Sequence, residues 1–215
     1  MPRWECTETS WAVRTRRCLP RAATSETTCP ERSVVATDQR IAVGHRLRRL
    51  EVLRTLAEPR LLAHLGPDVL GPDWDPAEAT RRLSVSPERE VGDALIDQTV
   101  MAGPGNVYRS EVCFLAGVDP RTPVGALPDV GLLVELTRFL MDRNRSGGRR
   151  VTTDDPRPGH DLWVYGRGGR PCRRCGTPIR SFADGPTGRQ RIMFFCPRCQ
   201  PQLVRDRAPL DEHTV

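Results

Sequence analysis

The stretch from Cys172 to Cys199 reads CRRCGTPIRSFADGPTGRQRIMFFCPRC, two C-x2-C pairs separated by 20 residues. Each pair is a tight turn that offers two thiolates, and two such turns facing each other close one tetrahedral metal site. Nothing else in the chain limits its fold so strongly, because the residues between the pairs must run out and back. "IRSF" and "RIMFF" have strand composition, and "DGPTG" between them has turn composition. A hairpin this short carries too little apolar surface to fold unaided, so the metal supplies folding energy. Cys172, Cys175, Cys196 and Cys199 are therefore read as ligands of one Zn2+; two disulfides, or spacing by chance, are the alternatives. Four protein ligands leave no open position, so this ion is structural and the chemistry lies elsewhere.

The clamp is crowded with arginine, and so is the whole chain. Of its 215 residues 33 are basic, every one of them arginine, and the net charge is +6. Codon usage alone can produce such a bias, but the physical consequence is the same. Guanidinium suits phosphates and base edges and does not deprotonate to a nucleophilic amine, so the only free amine is at the N-terminus. A polyanionic partner is expected. No run of about eighteen apolar residues is present, so no membrane partner is expected, and the start lacks a signal-peptide pattern. With metal-type cysteine usage this points to a reducing, cytoplasmic setting.

Along the chain the texture changes several times. Residues 1–33 hold Cys6, Cys18 and Cys29 without helical or strand period, and an irregular or disordered segment is expected. From Val34 to residue 57 short strands are expected, with "TDQ" as a turn. Residues 58–160 read as a helical domain, with "VTTDDPRPGHDLWVYGRGGRP" from Val151 as a loop leading into the hairpin unit. "EPRLLAHLG" is a short helix stopped by Gly66. "DWDPAEATRRL" has Asp75 as N-cap, Pro76 at the first position and Glu78 closing a capping box. "SPEREVGDALIDQTV" repeats the pattern from Ser86 and Pro87, with Val91, Leu95 and Ile96 apolar. A further helix follows "MAGPGN", with Val107, Cys113 and Phe114 as core. The last has a stripe of Leu132, Leu133, Leu136, Phe139 and Leu140 and ends at Gly147. The hairpin unit spans 161–202, a charged tail 203–215. The fold class is mainly α with small β parts, and the helices and hairpin are expected to share one unit, since neither is large enough for a deep core alone.

"MAGPGNVYRSE" joins two of these helices. Gly103 and Gly105 permit backbone geometry closed to other residues, and Asn106 precedes or caps the next helix. Helix N–H groups with an Asn amide make a phosphate site; an ordinary turn with an Asn cap is the plain alternative. Arg180, Arg189 and Arg191 of the hairpin are candidate phosphate contacts, whereas Arg173 and Arg174 in the knuckle read equally as solvated charges.

Taken in order, "DQTVMAGPGNVYRSEVCFLAG", "HDLWVYGRGGRPCRRCGTPI" and "RIMFFCPRCQP" resemble the C-terminal half of the formamidopyrimidine-DNA glycosylase/endonuclease VIII family, a helix–two-turn–helix domain followed by a zinc finger. The match runs from about Pro59 to Pro201. A weaker likeness, "RIAVGHRLRRLEVLRT", resembles the last strands of the family's N-terminal β-sandwich. The resemblance implies base-excision repair of double-stranded DNA carrying oxidised bases or abasic sites, by a monomer working at the bacterial nucleoid. Such enzymes evert the lesion, cleave its glycosidic bond and nick the strand by β- and δ-elimination. It assigns phosphate binding to Asn106, a backbone grip near the lesion to Arg191, and Zn2+ to the four cysteines. Thr99, where the 8-oxoguanine-specific branch usually has Lys, points to the endonuclease VIII branch. The family's nucleophile is the proline amine of a Met-Pro-Glu start, which attacks C1′ and forms a Schiff base. Here Pro2 is in place, but Arg3 stands where the family has Glu, and the family's assisting Lys has no counterpart in a chain without lysine. Only a remnant of the sandwich is expected, from an N-terminally truncated or frameshifted member. The competing expectations are a catalytically inactive DNA-binding remnant and a zinc ribbon that binds proteins.

Overall fold

The structure is a computed structural model. It describes residues 55–155, 157–185 and 190–202, and three strands nearer the N-terminus. The chain divides into two units, Met1–Arg60 and Leu61–Val215.

The first unit holds an antiparallel sheet of β1 (Ala12–Arg16), β2 (Arg32–Ala36) and β3 (Ile41–His45), in that order. Ala12 pairs with Ala36 and Arg16 with Arg32, while Ala36 pairs with Ile41. Regular structure therefore begins earlier than expected. Val13 to Thr15 form a ladder inside the segment read as irregular, because strand pairing rests on a distant partner as well as on local composition. Pro2 and residues 46–54 lie outside the described residues.

Among the described residues, α1 (Glu58–Leu62) spans the boundary between the units, and four further α-helices of the second unit precede a two-stranded hairpin. The short α1 buries no residue. α2 (Pro76–Leu83) starts as its sequence dictates: Asp75 Oδ1 accepts the N–H groups of Ala77 at 2.9 Å and Glu78 at 3.0 Å, with Pro76 at the first position. The reciprocal half of the expected capping box is replaced. Glu78 turns along the helix to Arg81 and Arg82, 2.7 Å from each, and these guanidinium groups hold its carboxyl down to about 2. α3 (Val91–Ile96) is shorter than expected: Ser86 and Pro87 form a turn, with Arg89 N–H donating to Ser86 O, and the helix begins only after Glu90.

α4 (Asn106–Leu115) is buried almost all round, and α5 (Gly131–Arg143) packs beside it. The buried face of α5 is Leu133, Val134, Thr137, Leu140 and Met141; Leu132 and Phe139 are 41% and 53% exposed. The helix is thus rotated from the face expected. Thr137 tolerates burial because its hydroxyl donates to Leu133 O at 2.7 Å. Asn144, not Gly147, seals the end: its side chain donates to Leu140 O and Val151 O and accepts from Val151 N–H.

The hairpin pairs β4 (Arg180–Asp184) with β5 (Arg191–Phe195), Arg180 opposite Phe195 and Asp184 opposite Arg191. It shares its interior with the helices. Met193 joins the cluster built from Val91, Leu95, Val112, Cys113 and Leu140. Phe114 of α4 joins Val164, Cys172, Ile179 and Cys196 in a second one.

Candidate nucleic-acid interface and metal centre

The turn between α3 and α4 is built by Gln98. Its amide donates to Ile96 O and Pro104 O, and its Oε1 accepts the N–H of Gly103 at 2.9 Å. Gly103 has φ +116°, and a side chain there would strike Met141, so this glycine is required. Gly105 is not: its backbone is extended, with open space where a Cβ would stand. Thr99 spends its side chain inside the turn, donating through N–H and hydroxyl to Asp97 Oδ1.

Asn106 is the first residue of α4, and its side chain does not cap the helix. It reaches across to the hairpin, where its Nδ2 donates to Ile192 O at 2.9 Å, while its Oδ1 accepts from Arg109 Nε at 2.7 Å. Asn106 is thus fixed one residue from Arg191, whose exposed side chain makes no hydrogen bond or ion pair with the described residues. The N-terminus of a ten-residue helix, a fixed amide and an exposed guanidinium are thus brought near one another, an arrangement that can receive a phosphate. Arg180 is also exposed; Arg189 lies outside the described residues. The knuckle arginines serve the fold. Arg173 donates to Leu162 O and Gly159 O, and Arg174 lies 4.6 Å from the Phe114 ring centroid and 5.7 Å from that of Trp163.

Two buried charges hold the face together. Arg109, 2% exposed, pairs with Asp184 of β4, and Asp93 of α3 stands 3.9 Å from the same guanidinium nitrogen. Burial, and then the hydrogen-bonded, charged Asp184, push the Asp93 carboxyl above its usual range. Glu111, fully buried, accepts the backbone N–H groups of Trp163 at 2.9 Å, Val164 at 2.9 Å and Tyr165 at 2.8 Å, and the hydroxyl of Thr152. It anchors the segment that leads into the first knuckle. Neither residue was singled out in the sequence, yet a signal existed: Glu111 lies at i+4 from Val107 and three before Phe114, a charge set within a buried stripe.

The four cysteines come together as their spacing requires. Their sulfurs lie within 4.8 Å of one another, with Cys175 and Cys196 3.5 Å apart and Cys172 and Cys199 3.9 Å apart. Disulfide sulfurs sit about 2.05 Å apart, so this is not a disulfide pair. Tetrahedral bonds of about 2.3 Å to a central ion put sulfurs about 3.8 Å apart, close to what is seen. Thr177 holds the Cys175 thiol down to about 6, while burial pushes those of Cys196 and Cys199 up. Four sulfurs this close suit a thiophilic cation, and the cluster can hold one. Backbone N–H groups of Arg174 and Cys199 donate to Cys172 and Cys196 sulfurs at 3.4 Å. Gln200 fastens the second knuckle to the helices, accepting from Cys196 N–H and donating to Val118 O, both at 2.8 Å.

Residues 65–142 match the formamidopyrimidine-DNA glycosylase H2TH domain. The chain is 49% identical over 171 residues to a "Probable endonuclease 8 2" of Streptomyces coelicolor, covering 79% of this chain and 61% of that protein. It is 47% identical over 169 residues to a DNA-(apurinic or apyrimidinic site) lyase of Mycolicibacterium smegmatis, covering 79% and 66%. The MutM (Fpg) protein of Thermus thermophilus superposes with a TM-score of 0.61 at 26% identity, over 83% of this chain and 71% of that one. The chain belongs to the formamidopyrimidine-DNA glycosylase/endonuclease VIII family. It spans about two thirds, or less, of the length of these two sequence relatives. Within the family fold, the shared core of helices and hairpin accounts for how Asn106 and Ile192 meet. No helix among the described residues is long and apolar enough to cross a membrane.

Proposed function

We propose that this chain binds damaged double-stranded DNA and acts in base-excision repair as a DNA glycosylase and abasic-site lyase of the endonuclease VIII type. The observation that carries the reading is the hydrogen bond from Asn106 to Ile192 O, which fixes the start of α4 beside the exposed Arg191. Asn106 and the N-terminal amides of α4 take one phosphate, and Arg191 grips the backbone next to it. The four cysteines hold one structural Zn2+ that stiffens the hairpin carrying Arg191. The endonuclease VIII assignment is supported by the higher identity to endonuclease 8 proteins, 47–49%, than to the formamidopyrimidine-DNA glycosylase of Sodalis glossinidius, 39%. DNA as substrate puts the work in the cytoplasm, at the nucleoid, and a monomer suffices for this surface.

Pro2 supplies the nucleophile. After removal of Met1 its secondary amine attacks C1′ of the damaged nucleotide and displaces the base. The amine gives up its proton as the base leaves, the C1′–O4′ bond opens to give the Schiff base, and this electron sink lets the strand break by β- and δ-elimination. With no lysine in the chain, no other amine competes. Borohydride trapping on duplex DNA with one abasic site tests this. A covalent adduct that disappears when the N-terminus is blocked is expected. A clean gel shift with no adduct would refute the lyase and leave a DNA-binding protein, an outcome for which Arg3 and the missing lysine argue. Arg191→Ala should weaken binding across sequences and lower the salt slope by about 1.

A further inference from the structure

The loop after α4 carries a charged pair with no part in the contacts described so far. The Asp119 side chain is 3% exposed, and Arg121 takes both its oxygens. Oδ1 accepts the Arg121 backbone N–H and Nε, each at 2.9 Å, and Oδ2 accepts NH2 at 2.6 Å. This fork fixes the plane of the guanidinium group. Its carbon lies 5.4 Å from the ring centroid of Phe182 on β4 and 4.8 Å from that of Phe195 on β5, and the two rings meet edge to face.

Strand alternation puts Phe182 and Phe195 on the hairpin face that also carries Asp184, Arg191 and Met193. Near its turn the hairpin is already tied to α4, through Asn106 to Ile192 O and Arg109 to Asp184. Its root is tied down by Gln200 to Val118 O, and the Arg121 stack adds a hold on the ring-bearing face between root and turn. We infer that Arg121 is a positioning residue for the DNA grip: stacked on Phe182 and Phe195, it fixes the tilt of the hairpin and so the place of Arg191 relative to Asn106. The inference rests on the DNA-binding reading given above. Lysine keeps a charge for Asp119 but has neither the fork nor the flat surface for two rings, so Arg121→Lys removes the positioning while leaving the buried carboxylate paired.

The test uses the full metal-loaded chain and a short duplex carrying one stable abasic-site analogue. Affinity is measured by fluorescence anisotropy, well below the melting temperature, for the wild type, Arg121→Lys, Arg191→Ala and the double variant, with metal content measured for each. Arg191→Ala should bind about tenfold more weakly and Arg121→Lys about fivefold. The double variant should be no weaker than Arg191→Ala alone, because Arg121 acts through Arg191. General loosening of the fold would instead make the two losses multiply, and that result overturns the inference, as does wild-type affinity in Arg121→Lys. If the wild type does not bind the duplex, or Arg191→Ala binds it as well as the wild type does, the DNA-binding reading itself fails and takes this inference with it.

Discussion

Glu111 offers a quantitative test of how the helices hold the four-cysteine hairpin. Glu111→Ala leaves three N–H groups, that of Val164 buried and those of Trp163 and Tyr165 partly buried, without their acceptor. Each unmet donor costs about 1–3 kcal/mol. Water entering the vacated space recovers part of this, so a loss of about 4 kcal/mol is expected. For a unit of this size about 1 kcal/mol moves the melting temperature by roughly 2–4 °C, so the variant should melt about 10–15 °C lower. Glu111→Gln separates charge from shape. One oxygen can still accept from Val164 and Tyr165, and the new amide can donate to the Thr152 hydroxyl. The Trp163 N–H then faces a donor, a mismatch of about 2 kcal/mol, or roughly 4–8 °C. Calorimetry reads the melting temperatures, and amide exchange at 163–165 locates the damage. A Glu111→Ala variant that melts within about 3 °C of the wild type, with exchange at 163–165 unchanged, would refute the reasoning.

Two further outcomes are expected. Stripping the metal with a strong chelator should unfold the knuckles and, through the shared cluster of Phe114, Val164 and Cys196, raise amide exchange in α4; exchange confined to 172–199 would count against a common core. Asp93→Asn should raise the melting temperature at pH 7. The Asp93 carboxyl is held above its ordinary value, so its contribution to stability is present below the ordinary carboxylate range and lost as pH rises through the raised value. The advantage of the variant should therefore close as the pH falls toward about 4, and an advantage unchanged over that range would contradict the assignment.

The parts legible in the sequence were those fixed by local chemistry. Asp75 caps α2 because one carboxylate reaches two amides of the next turn, and the cysteine spacing determines the cluster. What escaped depends on partners far along the chain. Arg109 and Glu111 look like surface charges of a helix until Asp184, 75 residues on, and the 163–165 backbone close over them. The orientation of α5 was misread for a related reason. Its apolar residues cover more than half its circumference, so the pattern left two faces open, and packing against α2 and α4 chose the one with Thr137 and Met141. Asn106 looked like a cap because Asn commonly is one; its bond to Ile192 spans 86 residues.

The interior common to helices and hairpin also bears on the order in which the protein can be made. The chain leaves the ribosome with α4 long before the residues that cover it. Gln200, which fastens the hairpin to Val118, is synthesised 82 residues later, about 4–16 s at ordinary elongation rates. Through that interval Phe114 has no Ile179 or Cys196 to lie against, and Glu111 has no 163–165 backbone to receive. The helices therefore wait, incomplete, for the last knuckle, and a cation that the four cysteines can hold would have its full ligand set only at that late point.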